Sequence, residues 1–207
     1  MTLDDALAEC PVVAIIRGVH PDEVLDHAEA LYAAGVRGVE VPLNSPEPLD
    51  SIRKLAGVFG KSMVVGAGTV LSPERVDAVA QAGGTIIVAP NTSTEVIRRA
   101  VELGLSPAPG FATATEAFVA LGAGARHLKL FPAATYGPGH LRQLKAVLPP
   151  SAVVWAVGGV GPDSMAEWWA AGAQAFGLGG EIYRAGQSVA ETAEKAARIV
   201  AAARALT

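Results

Sequence analysis

Short apolar segments alternate along the chain with longer segments in which apolar residues recur every three to four positions. The short segments are rich in Val, Ile and Ala. They are too apolar for strands that expose one face to water, and this favours the buried strands of a parallel sheet. The pattern predicts eight strands, at residues 12–18, 38–44, 62–70, 85–91, 105–111, 126–132, 153–159 and 175–180.

A predicted helix follows each predicted strand. Several of these helices open on Ser, Thr or Asp with a Pro nearby, and many close on Gly, which are common signals of helix starts and ends. Eight strand–helix units favour a closed (β/α)8 barrel over an open doubly wound sheet. Residues 2–9 are predicted to form a short helix ahead of the first strand. We therefore expect residues 1–207 to form a single α/β domain, a (β/α)8 TIM barrel.

The composition narrows the classes of function. The formal charge of −4 comes without a cluster of basic residues, which argues against a nucleic-acid partner. The single cysteine cannot form an internal disulfide, and the first ten residues lack the features of an export signal. No uncharged apolar run reaches the roughly 18 to 20 residues of a membrane span. We expect a cytoplasmic protein with no membrane partner, and 51% apolar residues suggest that subunits cover part of its surface.

Three charged residues lie in predicted strands where their side chains face the barrel interior: Arg17, Glu40 and Lys129. Side chains alternate along a strand, and the aliphatic neighbours of Glu40 and Lys129 take the opposite, helix-facing side. Active sites of (β/α)8 barrels lie at the carboxyl ends of the strands, so we expect the three charges to share one site. A structural layer of paired charges inside the barrel is the alternative interpretation.

Lys129 stands in a strand-like apolar run, which makes it a candidate nucleophile. At a reference pKa near 10.4, only about one lysine in a thousand is neutral at neutral pH, yet only the neutral amine attacks a carbonyl. Desolvation and the charge of Arg17 lower the pKa of Lys129, whereas Glu40 raises it. A drop of three units costs about 4 kcal/mol, which a stable barrel can tolerate. Lys129 is therefore the candidate Schiff-base amine and Glu40 the candidate proton shuttle.

Two Gly-Gly pairs end the last two predicted strands, Gly158-Gly159 and Gly179-Gly180. Glycine lets the backbone approach an anion closely, and the last two loops of (β/α)8 barrels commonly bind phosphate. Tight strand-to-helix turns are the alternative reason for these glycines. Thr69, at the end of the third predicted strand, is a candidate either for substrate contact or for a helix cap.

The segments that carry these residues resemble a known family. AIIRG, VEVPLNSP, VGAGTVLSPE, PNTSTEVIRRA, PGFATATEA, LKLFPA, AVGGV and YRAGQS match the 2-keto-3-deoxy-6-phospho sugar acid aldolases, in order and over nearly the whole chain. Within that family the chain is more similar to the 6-phosphogalactonate branch. The 6-phosphogluconate branch places its carboxylate-binding arginine where this chain has Asn44, and a threonine where it has Val157. The galactonate branch takes the arginine from the first strand, as at Arg17.

The resemblance implies a class I aldolase that cleaves 2-dehydro-3-deoxy-6-phosphogalactonate to pyruvate and D-glyceraldehyde 3-phosphate. It implies Schiff-base formation at Lys129, proton transfer by Glu40 and carboxylate binding by Arg17. It further implies a homotrimer that needs no metal or organic cofactor; the four histidines, His127 isolated among them, form no cluster of metal ligands. The residues implied to bind substrate are Arg17, Thr69, Pro90, Phe131, Val157, Gly158, Gly159, Val160, Gly179 and Gly180.

One residue departs from the family pattern. Gly180 stands where the family usually has serine, so a hydroxyl donor is missing and a modest loss of phosphate affinity is expected. The alternative substrates are the gluconate epimer, 4-hydroxy-2-oxoglutarate and non-phosphorylated sugar acids. A barrel that binds a phosphorylated sugar without chemistry is a more remote alternative.

Overall fold

The computed structural model describes residues 1–206, in which short parallel strands are surrounded by helices. The strands are β1 (Val12–Ile15), β2 (Gly38–Pro42), β3 (Val64–Gly68), β4 (Ile86–Val88), β5 (Ser106–Ala108), β6 (Gly110–Phe111), β7 (His127–Leu130), β8 (Val153–Val157) and β9 (Ala175–Leu178). The helices are α1 (Leu3–Glu9), α2 (Val24–Ala34), α3 (Pro48–Phe59), α4 (Pro73–Gln81), α5 (Thr94–Glu102), α6 (Ala114–Gly122), α7 (Ala133–Lys145), α8 (Met165–Ala170) and α9 (Val189–Arg204). Within residues 1–206, no helix combines the length and the apolar character that a bilayer crossing requires.

One interrupted strand closes the barrel. The sheet order is β5-β4-β3-β2-β1-β9-β8-β7-β6, and β5 and β6 are the two halves of the predicted strand 105–111, separated by Pro109. The Ala89 N–H donates to the Ala108 oxygen at 3.3 Å, and the Lys129 N–H donates to the Pro109 oxygen at 2.9 Å. The interrupted strand thus bonds to both neighbours. The predicted (β/α)8 barrel is confirmed, and the ninth strand arises from this interruption.

Side-chain alternation sorts the apolar residues into two layers. The outward layer packs against the helices and includes Val39 and Val41 beside Glu40, and Leu128 and Leu130 beside Lys129. The inward layer fills the barrel; its buried members are Leu3, Ala6, Val13, Ile15, Val64, Ile86, Val88, Ala108, Trp155, Val157 and Ala175. The predicted direction of the aliphatic neighbours of both charged residues is therefore confirmed, and Glu40 and Lys129 are buried on the inner side.

The helix starts follow the predicted signals only in part. At α5 the Ser93 side chain accepts a hydrogen bond from the Val96 N–H, as its cap position predicts. The segment SPEPLDSI has a Ser-Pro start signal at Ser45, but its helix begins at Pro48. The Ser45 hydroxyl accepts the Gly18 N–H at 2.9 Å. This serine therefore joins two loops at the carboxyl end of the barrel and does not cap α3.

The short helix predicted at the start of the chain is present as α1, and it covers the amino end of the barrel. Leu3 and Ala6 belong to the inner apolar layer. Asp4 forms an ion pair with Arg126 at 2.8 Å, and its Oδ1 lies 3.3 Å from the Nε2 of His127. These contacts attach α1 to Arg126 and to the first residue of β7, at the end of the barrel opposite the predicted site.

His127 is buried against Trp155. The Trp155 indole N–H donates to the His127 Nδ1 at 3.2 Å. A neutral imidazole accepts that bond, whereas an imidazolium would place two N–H groups against each other. Burial lowers the pKa of His127 from 6.5 to about 4, although Asp4 acts in the opposite direction. The folded barrel therefore contains the neutral form.

This depressed pKa predicts a pH-dependent stability. Between pH 4 and 6.5 the unfolded chain binds more protons at His127 than the folded chain, so its contribution is complete above about pH 6.5 and is lost as the pH falls towards 4. The pKa of Glu40 is raised, so Glu40 makes the free energy of unfolding change with pH in the opposite direction over the same range. We therefore compare wild type with His127→Gln by urea unfolding. The stability difference is expected to shift by about 2 kcal/mol between pH 7.5 and pH 5.

The exposed His20 offers a matched control. His20→Gln is expected to leave the pH dependence of unfolding as in wild type. A His127→Gln profile parallel to wild type over the whole range would contradict the neutral buried imidazole.

Candidate active site

A cavity of about 520 Å³ opens at the carboxyl ends of the strands. All predicted site residues except Glu40 line it. The lining residues are Ile15, Arg17, Thr69, Pro90, Lys129, Phe131, Val157, Gly158, Gly159, Val160, Gly177, Gly179, Gly180, Glu181, Tyr183 and Arg184. The barrel thus brings together residues from most of the chain at the end where such barrels place their sites.

Lys129 lies on β7 between two leucines that face the helices, so its side chain points into the barrel. The residue is 6% exposed. Burial lowers the pKa of its amine, Glu40 opposes this shift, and the positive charge of Arg17 adds to it. The Nζ lies 4.7 Å from the centroid of the Phe131 ring, at the cavity wall. The amine is therefore shielded from bulk water yet open to a molecule in the cavity.

Glu40 lies directly beneath the main cavity. It lines a smaller internal space together with Lys129 and Trp155, and it is 2% exposed. Burial raises the pKa of its carboxyl to about 7, while the charges of Lys129 and Arg17 lower it. Within residues 1–206 its Oε2 is buried and has no hydrogen-bond partner. A carboxyl group with a pKa near neutrality and a free oxygen can both give and take a proton.

Gly68 creates the space that holds the Glu40 carboxyl. Gly68 ends β3, beside β2, and a Cβ added there would overlap both carboxylate oxygens. Glycine at this position is therefore required by the close approach of the acid.

Arg17 follows β1, and its Nη1 donates to the Asn44 Oδ1. The next residue, Gly18, donates its N–H to Ser45. These two bonds connect the loop after β1 with the loop after β2. Asn44 therefore holds the guanidinium at the cavity wall, a contact that strand alternation alone does not reveal.

This contact predicts a binding defect in Asn44→Ala. The guanidinium loses its neighbouring acceptor, and the KM for substrate is expected to rise by roughly tenfold while kcat changes by less than about twofold, since a hydrogen bond to a charged group is worth about 1.5 kcal/mol. Steady-state pyruvate release measures both parameters. Gln81→Ala, which removes an exposed amide at the end of α4, is the control and is expected to behave as wild type. An unchanged KM in Asn44→Ala would contradict a positioning role.

The predicted phosphate-binding loops line one part of the cavity. Gly158 and Gly159 both adopt positive φ, at 93° and 72°. A Cβ on Gly159 would lie 2.5 Å from the Cβ of Ala134. Both observations require glycine at this turn, so the turn alone already explains the first pair. Gly179 and Gly180 follow β9 on the same cavity wall.

Thr69 has a φ of 58°, an unusual conformation for a β-branched residue. The helix-cap interpretation is wrong because Ser72 occupies the N-cap position of α4. Thr69 lines the cavity instead. Backbone strain of this kind often accompanies functional sites.

Several cavity residues were not predicted: Ile15, Gly177, Glu181, Tyr183 and Arg184. Ile15 and Gly177 have the same strand parity as Arg17 and Gly179, so alternation could have indicated them. The other three follow β9 in the turn before α9, where no periodic signal exists. Within residues 1–206, no group of three or more metal-ligating side chains occurs.

Comparisons with known proteins agree with this geometry. The sequence model described as "Aldolase: KDPG and KHG aldolase" matches residues 3–200. The 2-dehydro-3-deoxy-6-phosphogalactonate aldolase of Escherichia coli (strain K12) is 53% identical over 94% of this chain and 95% of its own length. A probable 2-dehydro-3-deoxy-6-phosphogalactonate aldolase of Rhizobium meliloti (strain 1021) is 40% identical over 94% of this chain and 92% of its own length.

A solved structure described as native KDPGal has a TM-score of 0.93 and 52% sequence identity, over 95% of both chains. The family model spans nearly the whole barrel, and the relatives match this chain along nearly their full lengths. The chain therefore belongs to the KDPG and KHG aldolase family.

Proposed function

We propose that this protein is a class I aldolase that cleaves 2-dehydro-3-deoxy-6-phosphogalactonate to pyruvate and D-glyceraldehyde 3-phosphate, in galactonate catabolism. The observation that carries the proposal is the buried Lys129 amine, with its lowered pKa, in the same internal space as the Glu40 carboxyl, with its raised pKa. The similarity to the E. coli galactonate-type aldolase supports the choice of substrate.

The first half of the proposed reaction forms a covalent imine. The neutral Lys129 amine attacks the C2 ketone and gives a carbinolamine. Glu40 donates the proton that lets the hydroxyl leave as water, and the product is a protonated imine. The pKa of about 7 leaves both protonation states of Glu40 populated near neutral pH.

The second half breaks the C3–C4 bond. Glu40, now a carboxylate, takes the C4 hydroxyl proton, C4 becomes the aldehyde carbon of D-glyceraldehyde 3-phosphate, and the bonding electrons move into the imine to form an enamine. Protonation of the enamine at C3 regenerates the imine. Water then hydrolyses the imine, which releases pyruvate and the free Lys129 amine.

The remaining cavity residues are proposed to bind and orient the substrate. Arg17 binds the C1 carboxylate through its planar guanidinium. The backbone N–H groups of the two glycine turns bind the phosphate. Between the carboxylate and phosphate ends of the substrate, the pocket is shaped by the side chains of Thr69, Pro90, Phe131 and Val157. This chemistry uses protein groups alone and calls for no metal or organic cofactor.

A cytoplasmic homotrimer built from one aldolase domain per chain completes the proposal. Large apolar side chains are exposed on two helices that pack against each other: Val101 on α5, and Phe118 and Val119 on α6. Contacts between subunits would remove such surface from water. Sedimentation of the purified protein tests the subunit number.

The substrate is tested with the two C4 epimers of 2-dehydro-3-deoxy-6-phosphohexonate. Pyruvate release is expected to show a kcat/KM at least roughly tenfold higher for the galactonate epimer, which corresponds to about 1.4 kcal/mol of selective transition-state binding. Preference for the gluconate epimer would reassign the substrate. Absence of pyruvate from both epimers would favour a barrel that binds its ligand without chemistry.

A further inference from the structure

We propose that Arg184 binds the substrate phosphate and sets the preference of this protein for phosphorylated sugar acids. The inference rests on the proposed function, because it concerns the far end of the same substrate. Three basic side chains line the cavity: Arg17, Lys129 and Arg184. The first two serve the keto acid end in the proposed reaction. Arg184 is the cation that no step of this reaction uses.

The position of Arg184 is fixed by its own turn. The residue follows β9, and its Nε donates to the carbonyl oxygen of Gly180 at 3.1 Å. Its main-chain N–H donates to the Gln187 Oε1 at 3.0 Å, and the Gln187 Nε2 donates to the Ile182 oxygen at 3.0 Å. These bonds brace the segment from Gly180 to Gln187. The guanidinium is thus fastened beside the second glycine pair, where the phosphate is proposed to bind.

Gly180 lies next to this guanidinium, and Arg184 is exposed. A Cβ at residue 180 would lie 3.6 Å from the Nε of Arg184 and 3.9 Å from its Nη2. A side chain there would therefore extend towards the guanidinium. With glycine, that space stays free for a ligand. Since Nε is already used, the two terminal nitrogens remain as donors, and a guanidinium presents such donors to phosphate in a two-pronged arrangement.

The polar groups near Arg184 are engaged elsewhere or carry negative charge, so they do not compete with it for phosphate. Within residues 1–206, Arg184 has no carboxylate within ion-pair distance. The Tyr183 hydroxyl donates to the Glu23 Oε1 at 3.0 Å and is therefore engaged away from the cavity. Glu181 is the one carboxylate among the described residues that line the cavity, and its side chain lies against Gly161, at 3.3 to 3.4 Å from a Cβ built there.

A smaller pocket of about 190 Å³ adjoins the main cavity and shares Arg184 with it. Lys195 and Arg198 line this side pocket but do not line the main cavity. Lys195 donates to Gln187 at 2.7 Å, and Arg198 pairs with Asp163 at 3.1 Å. The two residues add positive charge beside the main cavity but do not line it. Variants of these residues can therefore distinguish a direct contact of Arg184 with phosphate from a general electrostatic effect of nearby positive charge.

The test compares phosphorylated and non-phosphorylated 2-keto-3-deoxygalactonate as substrates of Arg184→Gln. The ratio of their kcat/KM values is expected to fall by at least roughly tenfold relative to wild type, as loss of a charge-assisted hydrogen bond predicts. Inhibition by inorganic phosphate is expected to weaken by a similar factor. Arg184→Lys, which keeps the charge and loses the planar fork, is expected to lower the ratio by a smaller factor and answers the same question if the Gln variant does not fold.

Arg198→Gln is the matched control, because it removes the same charge from the side pocket only. It is expected to change the ratio by less than about twofold, and a loss equal to that of Arg184→Gln would overturn the proposal in favour of a general field effect. A wild-type ratio in Arg184→Gln would overturn it as well. Failure of the proposed function is distinguishable, since the wild-type protein would then neither cleave the phosphorylated substrate nor form a pyruvate adduct.

Discussion

Replacement of Lys129 by methionine is expected to abolish both aldol cleavage and covalent capture of pyruvate. Methionine keeps the length and the apolar stem of the side chain but has no nitrogen to form an imine. We expect kcat/KM to fall by roughly 10⁴-fold or more, a loss within the range seen when a covalent nucleophile is removed. Borohydride reduction in the presence of pyruvate, followed by mass spectrometry, is expected to add one reduced pyruvyl group to wild type and none to Lys129→Met.

The matched control is Lys61→Met, at an exposed lysine in the turn after α3. This variant is expected to be labelled and to turn over as wild type does. Peptide mapping of the labelled wild type is expected to locate the adduct on Lys129. Labelling of Lys129→Met to the wild-type extent would refute the assignment of the nucleophile.

The second large effect is expected from Gly68→Ala. The added methyl group would occupy the position of the Glu40 carboxyl, which the surrounding barrel leaves little room to move. We expect kcat to fall by about 10²-fold or more, as for the loss of general acid–base catalysis. The limb of the pH–rate profile near pH 7, which the raised pKa of Glu40 predicts, is expected to disappear with it.

Gly57→Ala is the control that distinguishes the clash with Glu40 in Gly68→Ala from a general effect of replacing glycine by alanine. Gly57 lies within α3, and a Cβ there would meet no atom within 4 Å. The change is expected to leave kcat unaltered and to stabilise the protein by about 0.5 to 1 kcal/mol, because glycine is a poor helix former. Glu40→Gln is expected to reproduce the loss in Gly68→Ala without the added volume. Full activity in a folded Gly68→Ala variant would show that Glu40 is not the proton shuttle.

Strand alternation and the position of strand ends were sufficient to predict the inner direction of Lys129 and Glu40. Both signals are local, because each depends on neighbours one or two residues away. The barrel followed from the repetition of eight such units. The split of the fifth predicted strand also had a local signal, since Pro107 and Pro109 reduce the N–H groups available for strand pairing.

The parts of the site that escaped prediction depend on contacts between distant segments. Asn44 meets Arg17 only because the loops after β1 and β2 lie side by side. The side chain of His127 contacts Trp155 and Asp4, both distant from it in the sequence, so its neutral state has no signature in neighbouring residues. Arg184 lies in the segment YRAGQS, which matches the family, but its sequence position alone indicates no role. Its relation to Gly180 becomes visible only when the turn after β9 is folded.

The interrupted strand, β5 and β6, closes the barrel directly beside Lys129. The backbone N–H of Lys129 itself donates the bond that crosses to Pro109. Any local opening at this position would displace the amine together with its strand, and water would reach it. Amide hydrogen exchange at Lys129 would therefore report how often this junction of the barrel opens.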